Sequence, residues 1–292
     1  MKKIAIISLM SDGGCHIAFL DIHEELLQLL NQVDLVHSYM TVDRKDIPYN
    51  IDIALIEGGV RTTHDIELLK EARSKAKILV AMGSCACFGG IPGLSNLYDL
   101  TSSLNYVYRE TPTTIKGVIP HENVPNVIRV APISRYVKVD FQIPGCPPES
   151  KEIKDALVSL LKGEIPPQPT KTVCDECKLG PPKKKPKRLR RIYEPPEPNT
   201  CLLEQGYFCM GSVTRAGCGA KCPHAGIPCD GCRGPAPKAL DQGASILNAL
   251  ITLAYENIKE FSLKRHSAYF YRYSFASSII EDLIRKRLVE KK

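Results

Sequence analysis

Eight of the chain's twelve cysteines crowd into residues 174–232, a stretch with little hydrophobic periodicity and many Gly and Pro residues. They read CDEC (Cys174, Cys177), CLLEQGYFC (Cys201, Cys209), CGAKC (Cys218, Cys222) and CDGC (Cys229, Cys232). No apolar run approaches the ~20 residues of a membrane-spanning helix. The opening MKKIAIISLM breaks at Ser11 and Asp12 without a small-residue cleavage site, so it reads as a buried first strand and not as a signal peptide. The chain is therefore expected to be cytosolic, where disulfides are disfavoured and this many thiols point to metal. With almost no apolar core of its own, residues 174–235 are expected to be held by what their thiolates bind.

The first 165 residues have another texture. KIAIISL (3–9), VDLVHSYM, IDIALIEGG (51–59), KILVAMG (77–83) and VDFQIPG (139–145) read as strands. HIAFLDIHEELLQLLN (16–31), THDIELLKEARSKA with Thr63 as N-cap, and SKEIKDALVSLLKG from Ser150 to Gly163 read as helices. Strands alternating with helices predict an α/β fold with a parallel sheet covered on both faces, flavodoxin-like or Rossmann-like. At 292 residues there is room for two modest domains. The proline-rich EIPPQPTK marks the division, into 1–165 and a cysteine-rich 166–292. Residues 237–258 read as a helix, and HSAYFYRYSFASSIIEDLIRKRL as an aromatic then amphipathic tail that packs on the body or on a partner.

The remaining special residues share a position. Asp12 and Cys15 follow the first strand, Glu57 ends the strand IDIALIEGG, Cys85 lies in GSCACFGG after KILVAMG, and Cys146 lies in PGCPPES after VDFQIPG. Open α/β sheets bind ligands outside the carboxyl ends of their strands. One rim can thus gather Asp12, Cys15, Cys85 and Cys146 around a single object, and the flanking glycines let the backbone approach it. The competing reading, buried cysteines acting as small core residues, accounts for burial but not for the shared place beside Gly and Pro turns.

Eight cysteines complete two four-thiolate sites. Paired CxxC units suit zinc, whereas the Cys222–Pro223 dipeptide and crowded spacing suit iron–sulfur clusters. Eleven of the cysteines with Asp12 make twelve donors, the number three four-iron clusters need. Cys87 is then a packed, non-ligating thiol and the competitor for Asp12's place. A carboxylate carries the charge of a thiolate but is a harder donor. As a ligand, Asp12 would tune a cluster whose class spans ~1 V; its alternative role is to cap the following helix. Glu57 either relays protons or hydrogen-bonds near that site, or is an exposed rim carboxylate. His16 reads as a helix-start residue.

Much of the net charge of +7 comes from KKKPKRLRR (183–191). It reads as a solvated connector or a docking loop for an acidic partner. With no recognition motif beside it, it does not indicate nucleic acid.

GGCHIAFLD, IEGG, GSCACFGGIPG, PGCPP, CLLEQGYFCMG and CGAKCPHAGIPCDGCRGP together form a specific signature. Over nearly its whole length the chain resembles the small, electron-transferring subunit of NiFe hydrogenases. It is most similar to the cytosolic methanogen G-type of the methyl-viologen-reducing and coenzyme F-420-reducing (deazaflavin) enzymes. The resemblance implies three 4Fe-4S clusters. A flavodoxin-like domain would hold the proximal one on Asp12, Cys15, Cys85 and Cys146. Many members have cysteine where this chain has Asp12; the deazaflavin-reducing branch has aspartate. The distal set would be Cys174, Cys177, Cys201 and Cys209, where many relatives open with His-x-x-Cys. The medial set would be Cys218, Cys222, Cys229 and Cys232, with four irons because Cys222 is present. The implied role is to carry electrons from H2 oxidation in a NiFe large subunit, which this chain does not encode, to a further subunit. That acceptor would be an iron–sulfur adaptor of heterodisulfide reductase or a flavoprotein. Other classes stay open at this point: a relay in a complex without hydrogenase activity, and a zinc-stabilised binding module using the basic loop.

Overall fold

Five of the apolar runs pair as one parallel sheet. The computed structural model describes residues 1–114 and 117–290. The chain opens with β1 (Lys2–Ser8), α1 (Gly14–Leu20), α2 (Glu24–Leu30), β2 (Val33–His37), β3 (Ile51–Glu57), β4 (Val60–Thr62) and α3 (Thr63–Lys75). It continues through β5 (Ala76–Met82), α4 (Ser84–Phe88), α5 (Leu100–Asn105), β6 (Val127–Ala131), β7 (Phe141–Ile143) and α6 (Ser150–Leu161). The cysteine-rich part carries only the short α7 (Val173–Glu176) and α8 (Lys221–His224) before α9 (Gln242–Thr252), α10 (Leu263–Phe270) and α11 (Ile279–Glu290).

The strand order β2-β1-β3-β5-β7 is, counting only the strands of this sheet, the flavodoxin order. Ile4, Ile6, Ile53, Leu55, Val80 and Met82 face Phe19, Leu26 and Leu157 from α1, α2 and α6. Their alternating neighbours Ala5, Ile7, Ala54, Ile56, Leu79 and Ala81 face Leu69, Ala72 and Phe88 from α3 and α4. Burial on both faces is why these strands read as continuous apolar runs. The register also levels the strand ends: Ser8 pairs with Glu57, Glu57 with Met82, and Met82 with Ile143. The loops that follow β1, β3, β5 and β7 therefore leave the sheet at one height.

Several local expectations change. The helix expected over 16–31 is two helices, because His23 takes φ 57, which no α-helix tolerates. The N-cap of α3 is Thr62, not Thr63: Thr62 accepts from the Asp65 N–H at 3.1 Å and Asp65 accepts from the Thr62 N–H at 2.7 Å. The helix expected over 237–258 shrinks to α9, which starts after its N-cap Asp241 and ends before Ala254 turns left-handed at φ 61. A short antiparallel pair, β4 with β6, has no signature in the sequence pattern.

The largest correction concerns residues 174–235. They do have an apolar core, but half of it comes from elsewhere: Leu202, Leu203, Tyr207, Met210 and Val213 pack with Ile246 and Leu250 of α9 and with Tyr255, Phe270 and Phe275. The tail thus packs on the body, and α11 is fastened there by Glu281, buried against Arg129 at 2.6 Å. Among the described residues no helix is long and apolar enough to cross a membrane.

Candidate functional site

The level strand ends build the first cluster of donors. After β5 the chain turns at Gly83, whose N–H donates to the Ile143 carbonyl at 2.8 Å, while the Ser84 N–H donates to the Gly145 carbonyl at 2.8 Å. These bonds hold the Cys85 loop against the Cys146 loop. Cys15 comes in from the first turn of α1. A methyl group on Gly83 would stand 2.3 Å from the Cys15 sulfur, and one on Gly90 would stand 2.5 Å from the Cys85 sulfur. Glycine is required here because sulfur fills the space a side chain would take. Cys146 is exposed and Cys15 and Cys85 are partly so, which opens the group to the surface.

Asp12 lies exposed at the same rim. Its Oδ1 accepts the Gly14 N–H at 3.0 Å, so the carboxylate does support the start of α1, although the formal N-cap is Gly13. Its charge also reaches the sulfurs, helping to raise the pKa of Cys85 and of Cys146. One oxygen is thus engaged by the backbone, and among the described residues no hydrogen bond reaches the other. Cys87, its rival, is buried on the other side of its loop, where its thiol donates to the Ala81 carbonyl at 3.4 Å among Phe88 and Ile133.

The other eight cysteines fall into two groups. Cys174, Cys177, Cys201 and Cys209 line one small cavity. Gly211 completes that wall: a methyl there would lie 3.1 Å from the Cys174 sulfur and 3.8 Å from that of Cys209. Cys222 and Cys232 both feel the charge of Cys218, and Cys232 feels those of Cys222 and Cys146 as well. Cys229 stands between the groups, coupled first to Cys209 and then to Cys232.

All twelve thiols are free. Burial, reinforced by neighbouring thiols, pushes Cys85 and Cys174 up to about 12 and Cys232 up to about 11. Burial likewise pushes Cys209 up to about 11. Gathering thiolates in such places is unfavourable unless a cationic centre offsets their charge. A single ion is a poor fit, since zinc needs four donors about 2.3 Å from one point. Among the described residues no three His, Cys, Asp or Glu side chains converge that closely. Thiols spaced around a cavity instead suit a polynuclear centre whose metals lie apart, and the donor chemistry, sulfur with one carboxylate, suits iron.

Residues beyond the donors shape these sites. Glu57 is only 1% exposed, so it is not a solvated rim carboxylate. It accepts from the Ser8 hydroxyl at 2.6 Å and the His16 N–H at 3.1 Å, while the His16 ring meets the Ser38 hydroxyl at 2.8 Å. Burial opposes its ionisation, but these donors hold its pKa below the ordinary value. Sequence reasoning missed two further residues. Ser84 accepts from the Gly145 N–H at 3.2 Å and donates to the Cys232 carbonyl, tying the rim to the third group. Arg233, 2% exposed, pairs with Glu152 of α6 at 2.6 Å and donates to the carbonyls of Pro144 and Ala216 at 2.9 Å. The signals were present, a serine before Cys85 and an arginine after Cys232, but neither names its partner.

Residues 13–160 match the family described as NADH ubiquinone oxidoreductase, 20 Kd subunit. The chain is 50% identical over 254 residues to the G-type subunit of the F420-non-reducing vhu hydrogenase of Methanocaldococcus jannaschii, covering 85% of this chain and 87% of that protein. It is 41% identical over 281 residues to the protein of the same name in Methanococcus voltae, covering 95% and 96%. Among solved structures, a chain of an NAD+-reducing [NiFe]-hydrogenase in the H2-reduced state superposes with a TM-score of 0.55 at 37% identity, over 58% of this chain and 96% of that one.

Proposed function

Because the chain belongs to the G-type family of F420-non-reducing hydrogenase subunits, within the wider NADH ubiquinone oxidoreductase 20 Kd family, we propose that it is the electron-transferring iron–sulfur subunit of a NiFe hydrogenase. Its partner is the large subunit, where H2 is split. The observation that carries the reading is the convergence of Asp12, Cys15, Cys85 and Cys146, four positions scattered over 135 residues, at one rim of the sheet.

Three four-iron clusters, when bound, supply one-electron carriers whose potentials depend on ligands, hydrogen bonds and exposure. The rim donors hold the proximal cluster, Cys218, Cys222, Cys229 and Cys232 the medial one, and Cys174, Cys177, Cys201 and Cys209 the distal one. The shared cavity of the last four supports that partition. The rest of the chain supplies position and electrostatics. Arg233 and Ser84 fix the medial donors against the proximal loop. Glu57 sets a buried negative charge beside Cys15, and Asp12 puts an oxygen donor where most of the proximal set is sulfur. Residues 1–165 form the proximal domain and 166–292 the medial and distal one.

The relatives with the identities above are F420-non-reducing by name, which favours an iron–sulfur adaptor of heterodisulfide reductase as acceptor over a flavoprotein reducing the deazaflavin. The test is anaerobic purification with iron, sulfide and zinc measured together. About twelve irons per chain and a brown absorbance are expected, with H2-dependent viologen reduction once the large subunit is present. A colourless chain holding zinc and no iron would overturn the reading.

A further inference from the structure

Two stretches carry none of the cysteine donors: the basic loop at 183–191 and the aromatic tail from His266. In the fold they meet. Between them lies a cavity of about 550 Å³ lined by Arg190, Arg191, Phe208, Arg265, Tyr269 and Arg272. Its floor is aromatic: the Phe208 ring lies 4.9 Å from the His266 ring and 5.9 Å from that of Tyr269, centre to centre. Its wall is cationic, with four guanidinium groups against two carboxylates, Asp230 and Glu260. Asp230 is already taken by Arg272, and Arg190 pairs with Glu197 at 2.8 Å. Among the described residues no carboxylate pairs with the side chains of Arg191 or Arg265, both of which are exposed.

At the rim, Ile192 is 73% exposed and Ile227 is 48% exposed. Exposed aliphatic side chains among arginines and aromatic rings have the composition of a protein docking surface. The aliphatic rim and the two carboxylates favour a peptide occupant over a phosphate backbone. The cavity also touches the cofactor region, for Cys222 lines it and Phe208 precedes Cys209.

We propose that this cavity receives an acidic segment with an apolar tip from the protein that accepts the electrons. The proposal rests on the electron-relay reading. Unpaired guanidinium groups at a rim act chiefly by steering and registering a partner of opposite charge. An occupant seated here would stand beside Cys222 of the medial set and Phe208, the neighbour of Cys209 in the distal set from which electrons leave.

The probe is a short peptide of Asp and Glu with one Trp. The chain has no tryptophan, so peptide fluorescence reports binding to the anaerobically prepared full chain directly. Saturable binding that falls with salt is expected. Arg191→Glu with Arg265→Glu should weaken it about tenfold, while Lys70→Glu with Lys162→Glu, the same charge change elsewhere, should leave it intact. Equal loss in both pairs, no binding at all, or displacement of the peptide by an oligodeoxythymidine that binds more tightly would overturn the docking site. Iron measured on the same samples separates the readings. Full iron with no binding defeats the docking site alone, whereas iron-free protein defeats the relay on which the acceptor's identity rests.

Discussion

The backbone N–H of Cys229 donates to the sulfur of Cys209 at 3.3 Å, so a residue of one cysteine group holds a thiol of the next. At the other end of that group the Ser84 hydroxyl, next to Cys85, donates to the Cys232 carbonyl. The three donor groups are therefore joined in sequence, from the rim through 218–232 to 174–209. Hydrogen bonds to ligand sulfur adjust cluster potentials, so with a cluster on Cys209 the Cys229 junction would both connect neighbouring sites and bias one of them. This continuity supports the proposed order of proximal, medial and distal.

Arg233 is the mechanical counterpart of those junctions. Its guanidinium meets the Glu152 carboxylate at 2.6 and 2.7 Å and also satisfies two backbone carbonyls. Arg233→Met would leave all of these partners without their donor. Breaking a buried pair from one side costs about 3 kcal/mol, and denaturant unfolding under anaerobic conditions should show a loss of that order. An unchanged midpoint would mean that the two halves are held by other contacts.

Gly83→Ala should empty the proximal site while sparing the other two. The new methyl would have to occupy the position of the Cys15 sulfur at a backbone φ of 88. Gly163→Ala is the control, because φ there is 87 with nothing within 4 Å of the added carbon. It carries only the left-handed strain of about 1 kcal/mol. Iron per chain is expected to fall by about one third in the first variant and to stay constant in the second.

Asp12 separates a structural carboxylate from a ligand. If it serves only the Gly14 N–H, Asp12→Asn keeps that bond and the full iron content, and raises the proximal potential only through the loss of one nearby negative charge. As a ligand, its loss in Asp12→Ala should lower iron content or shift the potential measured by redox-monitored EPR. Asp12→Cys should restore the iron at a different potential, since sulfur donates more covalently than oxygen.

Glu57 predicts a pH dependence. Burial raises its pKa, yet hydrogen bonds from His16 and Ser8 bring it below the ordinary 4.5. A carboxyl whose folded value is depressed stabilises the fold fully above its unfolded pKa and loses that contribution as pH falls through the folded one. Glu57→Gln removes the charge and keeps the shape. The gap in denaturation midpoint between the two iron-free proteins should be widest near neutrality and close as pH drops towards 3. A gap that does not vary with pH would show that the charge contributes nothing.

The sheet and the candidate rim at its strand ends are legible in the sequence for a local reason. Apolar runs of about seven residues are strands buried on both faces, and a residue one turn past such a run must sit at a strand end. Asp12, Cys15, Cys85 and Cys146 can be placed together on that basis, without knowledge of any contact between them. The paired CxxC spacings and the basic loop are local signals of the same kind.

What the tertiary structure decided lies at long range. Arg233 finds Glu152 across 81 positions, and Ser84 finds Cys232 across 148. The core under residues 174–235 is completed by Ile246, Leu250 and Phe270, which no periodicity within that segment announces. Glu57 at a strand end is polar, so sequence pattern alone leaves its burial open; only the packing of His16 and Ser8 around it closes the question. Propensity and spacing act over a few residues. Partner choice, burial of charge and the meeting of the basic loop with the aromatic tail depend on how distant segments share space, and that is settled only when the chain is packed.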